Sequence, residues 1–303
     1  MSFLACIAYT LAPIFFVIAQ STAFVLIFLI LLLIGIFGGI LAGMLGVGGG
    51  LIFTPVLIFL FTDSLEDPLP WIIGTSLLCT FAASLSSVRK HVRMNNFFKK
   101  DSLRVGAFSL AGTAAGVAVV QSAWYSQTEF SILFSGLLFF TAYKFIFKKK
   151  TVIKPEDAAH DENLLRDGSL STPQSLAIGT AGGTVATLAG VGGGVIMVPL
   201  MTMLLRQPYL KAISISSAAI VFISFFGWGQ LALGSPEESG TTAYTLGYVD
   251  FGAALPLIAG ALIGANYGVY ATSRIPKTYM EFVFGLLALA VAARLLWRVF
   301  ASI

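Results

Sequence analysis

The sequence predicts an all-α polytopic membrane protein made of two inverted-topology repeats, each a GVGGG-interrupted helical hairpin followed by three transmembrane helices. Of its 303 residues, 57% are hydrophobic and 11% charged, with a mean hydropathy of +0.90. That is more apolar surface than one water-soluble core can bury. The apolar stretches are long and lack the ten-residue alternation of barrel strands, so the spans are helices. The segment GIFGGILAGMLGVGGGLIFTP, Gly35 to Pro55, recurs as GTAGGTVATLAGVGGGVIMVP, Gly179 to Pro199, at a constant offset of 144. Such a self-match, with the same glycines and the same proline, marks two copies of one unit.

Taken from the N-terminus, residues 1–21 read as an additional hydrophobic helix, since they lack a basic leader and contain Pro13; a cleaved signal peptide is the alternative. The first repeat then covers 22–147, a charged linker 148–172 and the second repeat 173–303. Each repeat opens with an apolar run, passes through GVGGG and continues for only about 12 apolar residues. Twelve helical residues reach ~18 Å against a hydrocarbon core of ~30 Å, so each pair forms a hairpin that enters and leaves on one side. Three further spans follow, an odd number, which inverts the second repeat relative to the first. Loop charge gives the same answer. Arg89, Lys90, Arg93, Lys99, Lys100 and Arg104 against the single acid Asp101 mark a cytoplasmic loop, as do the lysines from Lys144 to Lys154. The loop with Asp63, Glu66 and Asp67 and the loop with Glu237 and Glu238 carry no base and belong outside. Arg206 and Lys211, and later Arg274 and Lys277, return the chain to the inside. A final span leaves the C-terminus outside, and Arg294 and Arg298 count against that placement.

Composition also excludes function classes. The 18 basic residues behind the net charge of +4 lie mainly at the ends of apolar runs, which is a topology signal and not a nucleic-acid footprint. Cys6 and Cys79 sit within apolar segments, so neither a disulfide scaffold nor a Cys-ligated metal is indicated, and no cofactor is implied.

Two copies of G-x-GGG followed by proline, each opening one of two helical halves around a charged linker, resemble the TauE/SafE sulfite exporter family, also called the TSUP family. The resemblance runs from about Gly35 to the last helix. It implies a multi-pass protein of the bacterial inner membrane that transports small sulfur-containing or organic anions such as sulfite, sulfoacetate or other sulfonates.

The residues supply a physical route to that activity. An unwound backbone at membrane depth must line a polar cavity or a ligand, because an unpaired amide in lipid costs several kcal/mol. Gly46, Gly48, Gly49 and Gly50, and again Gly190, Gly192, Gly193 and Gly194, permit such a break and turn neutral N–H donors toward an anion near the midplane. Gly35, Gly39 and Gly43, spaced by four, serve helix packing instead. Pro55 and Pro199 either start the short helices, with Thr54 as a cap in the first, or kink helices already begun. Thr75 and Ser76, with Ser216 and Ser217 at the matching place, offer hydroxyl donors, or else bond their own helices. Asn266 and Gln230 are the strongest polar residues inside spans, and of the two Asn266 is the site candidate, Gln230 falling near the outer surface. The partners expected are thus a small anionic substrate and the lipid bilayer.

A passive anion channel is the nearest alternative, since the same glycine cradles can line a pore. An intramembrane enzyme fits less well. His91 and His160 both fall in expected cytoplasmic segments, and no carboxylate pair lies in mid-membrane.

Overall fold

The chain is an all-α polytopic membrane protein. A computed structural model describes residues 25–43, 48–62, 64–122, 124–147, 169–238, 240–271, 285–286 and 288–297. The N-terminal segment 1–21, Gly46, most of the linker and the Arg274–Lys277 loop lie outside the described residues.

The first half contains α1 (Val25–Gly43), α2 (Gly50–Phe61), α3 (Pro68–Arg93), α4 (Lys99–Val120) and α5 (Gln127–Phe147). The second contains α6 (Thr172–Ala189), α7 (Gly194–Pro199, prolonged by a π-helical turn Leu200–Leu204), α8 (Tyr209–Ala232), α9 (Phe251–Ala271) and α10 (Ala288–Trp297). Among the described residues five helices are long and apolar enough to cross a membrane, within α1, α3, α4, α8 and α9. The two helices after the glycine breaks are not: each spans only 11 or 12 residues, as Gly194–Leu204 and Gly50–Phe61.

Local chemistry explains the helix ends. Pro68 begins α3 at a position that needs no N–H, and Lys90, His91 and Arg93 occupy its last turn, where cations favour the helix dipole. Ser171 and Gln174 form a capping box at the start of α6: Ser171 N–H donates to Gln174 Oε1 at 3.0 Å and Gln174 N–H to Ser171 Oγ at 3.4 Å. The cap of α2 is Gly49, not Thr54, and Pro55 sits inside the helix. Pro199 closes the α-helical part of α7. Having no N–H, it cannot extend the ladder, and the chain continues in a wider turn closed by Leu205 N–H to Leu200 O at 3.3 Å. An unexpected short hairpin, β1 (Thr245–Leu246) paired antiparallel to β2 (Val249–Asp250), turns at Gly247, whose φ of 52° lies in the left-handed region.

The two halves pack reciprocally. On α1, Gly35 and Gly39 lie against the backbone of Leu257 and Ala261 on α9, while Gly260 and Gly264 of α9 lie against Leu32 and Ile36. On α6, the matching Gly179 and Gly183 lie against Val105 and Ser109 on α4, while Gly112 and Gly116 of α4 face Thr180, Thr184 and Thr187. Small residues let these backbones touch, which is the usual device where lipid supplies no hydrophobic drive between helices. The opening helix of each half thus docks on the other half.

Charged segments of the two halves meet at the two ends of the bundle. At one end Glu66 N–H donates to Glu238 Oε2 at 3.1 Å, and Trp71 meets Tyr248 edge-on at 5.8 Å. At the other end Lys211 and Asp101 form a buried ion pair at 3.5 Å, Leu170 N–H donates to Asp101 Oδ1 at 3.0 Å, and Arg104 reaches Leu170 O at 3.4 Å. The first end is the expected outside, the second the expected cytoplasmic side. Arg294 lies 4.0 Å over the ring of Phe59, close to the C-terminal end of α2, which gives one of the two discordant C-terminal arginines a local partner. His91, expected in a cytoplasmic segment, stands in the last turn of α3 and is buried.

Candidate functional site

The two glycine breaks come together in the interior. The first carries left-handed backbone at Gly48 and Gly49, φ 85° and 75°; the second repeats it at Gly192 and Gly193, φ 78° and 82°. Both short helices start from a left-handed cap, Gly49 with ψ −18° and Gly193 with ψ −15°. Glycine is required there because an L side chain in this region clashes with the following carbonyl. At Gly50 the requirement is space. A β-carbon would stand 2.6 Å from Val191 Cα, 2.7 Å from Gly190 O and 2.9 Å from Thr80 Oγ1.

The second break has two parts. Gly190 is the left-handed C-cap of α6, φ 64°, with Gly190 N–H donating to Thr187 O at 3.3 Å and Val191 N–H to Ala186 O at 3.0 Å. The amides of Gly190 and Val191 are therefore spent on ending the helix. Gly190 O points the other way, into the first half, and accepts from Thr54 Oγ1 and from Ser76 Oγ, each at 2.8 Å. Those two hydroxyls are themselves 2.8 Å apart. Three contacts share two protons, so one hydroxyl proton can be redirected without leaving Gly190 O unsatisfied. In α2, Gly49 O accepts from Ile52 and Phe53, which leaves the N–H groups of Gly50 and Leu51 at the helix tip.

The expected hydroxyls separate into two sets. Ser76 belongs to the meeting point of the breaks. Ser217, its counterpart in α8, is buried and its Oγ has no partner. Thr75 faces away, accepting Asp250 N–H at 3.0 Å and so pinning the hairpin to α3. Ser216 donates to Ile213 O at 3.0 Å in its own helix. Asn266 is exposed on α9, where its amide donates to Leu262 O at 2.9 Å, and it is not brought to the breaks.

Two threonines that the sequence did not single out as ligands complete the arrangement. Thr54 bonds Gly190 O, and Thr80, fully buried with an unpartnered Oγ1, faces the bare Cα of Gly50. Thr80 lies four residues after Ser76 on α3, and this helical spacing was the available signal. Gly48 fits between the side chains of Thr80 and Ile220, so α3 and α8 both border the first break.

At the end that holds Tyr248 a cavity of about 670 Å³ is bordered by Asp67, Gln121, Ser122, Tyr125 and Ser235. Tyr125 donates to Leu188 O at 2.8 Å, next to the second break, and burial followed by the charge of Glu129 holds its hydroxyl protonated, with its pKa above the ordinary value. Among the described residues no cluster of His, Cys, Asp and Glu can hold a metal ion.

The family model of the sulfite exporter TauE/SafE family matches residues 31–295. The chain is similar to a probable membrane transporter protein of Methanocaldococcus jannaschii, 26% identical over 88% of this chain and 94% of that protein. It is similar also to probable membrane transporter protein YunE of Bacillus subtilis, 25% identical over 89% and 98% of the two chains. A probable membrane transporter protein of Haemophilus influenzae is 26% identical over 87% and 96%. No solved structure gives a significant match.

Proposed function

The chain belongs to the sulfite exporter TauE/SafE family, and we propose that it is a secondary carrier of small anions, chiefly sulfur-containing ones such as sulfite and sulfonates, in the bacterial inner membrane. In this reading residues 22–147 and 173–303 are inverted repeats, and the anion sits where their two glycine breaks meet.

One observation carries the reading: Thr80 Oγ1 is buried, unpartnered and aimed at the bare Cα of Gly50, beside Gly190. A buried hydroxyl without a partner costs ~1–3 kcal/mol, and a site that pays this in the empty state recovers it when a ligand accepts the bond. The neighbouring donors suit an anion. The tip of α2 carries the positive end of a 12-residue helix, and the hydroxyls of Thr54 and Ser76 have one proton that can turn to a ligand. Among the described residues no fixed cation stands beside these groups, so the anion is held by dipoles that release it as readily as they bind it. Reciprocal docking of each opening helix on the other half supplies two bodies able to rock around a fixed centre.

The test is thermal unfolding of the purified protein with sulfite, sulfoacetate, taurine, thiosulfate, sulfate and simple carboxylates, followed by flux in proteoliposomes. A carrier gives an anion-dependent rise in unfolding temperature that shrinks in Thr80→Val, and a flux that saturates and shows exchange. Flux that grows linearly with concentration and shows no exchange identifies a channel and overturns the carrier reading.

A further inference from the structure

Below the glycine breaks, α3 carries a line of polar side chains that its packing leaves unused. Thr80, Ser84, Ser87 and His91 are spaced by four, three and four, which at 3.6 residues per turn keeps them within about 60° of one another. They are 0%, 1%, 1% and 3% exposed, and the hydroxyl oxygens and both imidazole nitrogens lack a hydrogen-bond partner. The adjacent face behaves ordinarily, for Ser86 Oγ donates to Leu262 O at 3.4 Å.

The line has a counterpart on α8. Gly227 lies against Leu77, and Phe225 against Phe81 with ring centres 5.6 Å apart, so α3 and α8 run antiparallel. This register sets Ser217 level with Ser87 and Ser214 level with His91. Both serines are buried with unpartnered oxygens, and Lys211 follows at the next step of three. Buried polar groups are almost always bonded, so such a concentration of orphans in one place marks a surface made for another state or another occupant. The ion pair of Lys211 with Asp101 lies at its cytoplasmic end and ties α8 to α4, while Asp101 also holds Leu170 ahead of α6.

We propose that Thr80, Ser84, Ser87 and His91, with Ser217 and Ser214 opposite, line the inner half of a path for a hydrated small oxyanion, closed here by the Asp101–Lys211 pair. The inference rests on the carrier reading for its ligand, but its geometry is tested without one. The donors are neutral hydroxyls and an imidazole, so an oxyanion passes from one to the next without a deep well. The pair joins helices of both halves, so separating it opens the path at the cytoplasmic face while the breaks stay in place.

The full-length protein, with Cys6 and Cys79 replaced by alanine, is reconstituted and labelled from the cytoplasmic face with a small anionic thiosulfonate. Ser84→Cys, Ser87→Cys and Ser86→Cys are compared with the pair intact and in Asp101→Asn/Lys211→Met, which removes both charges and so leaves no lone buried ion. The expected result is labelling of positions 84 and 87 at least tenfold faster once the pair is removed, with position 86 unchanged. Equal acceleration at 86, or none at 84 and 87, overturns the path. Proteoliposome flux of sulfoacetate measured alongside separates the two ideas: accessible cysteines with no flux count against the carrier and leave the path standing.

Discussion

Gly50→Ala puts the meeting of the two breaks under direct strain. Its β-carbon would sit 2.6 Å from Val191 Cα, where carbon atoms prefer about 3.5–4.0 Å, so one chain must retreat by roughly 1 Å. Val191 cannot swing aside as a side chain would, because the contact is to backbone. Gly190 O, 2.7 Å from the same point, is held by Thr54 and Ser76. Overpacking costs about 1–3 kcal/mol, against about 0.5–1 kcal/mol gained by replacing a helical glycine, and each disturbed hydroxyl bond adds about 1 kcal/mol. The variant should therefore be less stable by about 1–3 kcal/mol while remaining folded, and should bind anion at least tenfold more weakly, about 1.4 kcal/mol. Gly136→Ala is the control. Nothing lies within 4 Å of its β-carbon position, and it should gain stability with unchanged binding. Both quantities come from thermal unfolding with and without sulfite. Wild-type stability together with a wild-type sulfite-induced shift in Gly50→Ala would refute the claim that the breaks touch and hold the anion between them.

Thr80→Val should raise the stability of the anion-free protein by about 1 kcal/mol, since it deletes an unsatisfied buried hydroxyl, and should weaken anion binding; the same unfolding series reads both signs. Gly49→Ala and Gly193→Ala each force an L residue into left-handed backbone at about 1–2 kcal/mol, and isothermal titration should show binding damaged by either copy alone. Asp101→Asn or Lys211→Met alone leaves a buried charge unpaired and should cost about 3–5 kcal/mol in chemical denaturation, whereas the double variant should come back close to wild type. Cysteines at Ser64 and Ser235 should react with an impermeant thiol reagent from outside and one at Ser169 only from the cytoplasm; labelling of all three from one side removes the topology.

The membrane class was open to reading because it is written in bulk properties: apolar length, loop charge and a long self-match. The breaks were readable for a related reason, since glycine runs mark backbone conformation directly, and Gly48–Gly49 and Gly192–Gly193 adopt the same left-handed geometry. Side-chain placement was harder. Thr75 and Ser76 are neighbours in sequence, yet 100° of helix rotation sends one to Asp250 and the other to Gly190. Asp101 and Lys211 looked like loop charges because each stands within a turn of a basic or polar segment. Only tertiary contact between α4 and α8 makes them a buried pair. Asn266 drew attention as an amide in a span, but its own helix satisfies it.

The repeat preserves backbone more faithfully than side chains, and this bears on how the two halves divide the work. Thr54, Ser76 and Thr80 of the first half stand opposite Val198, Ser217 and Val221 at the corresponding places of the second. Of these, Thr54, Ser76 and Thr80 converge on Gly50 and Gly190, while Val198 is buried among apolar neighbours of α6, α7 and α8. The first half thus brings hydroxyls and the tip of its short helix, and the second brings a carbonyl that occupies two of those hydroxyls. In the carrier proposed above, a transported anion would compete with Gly190 O for the same protons. Movement of the second hairpin away from α3 would free them and movement back would reclaim them, so in that carrier a single shared set of hydrogen bonds would couple binding to the relative position of the two halves.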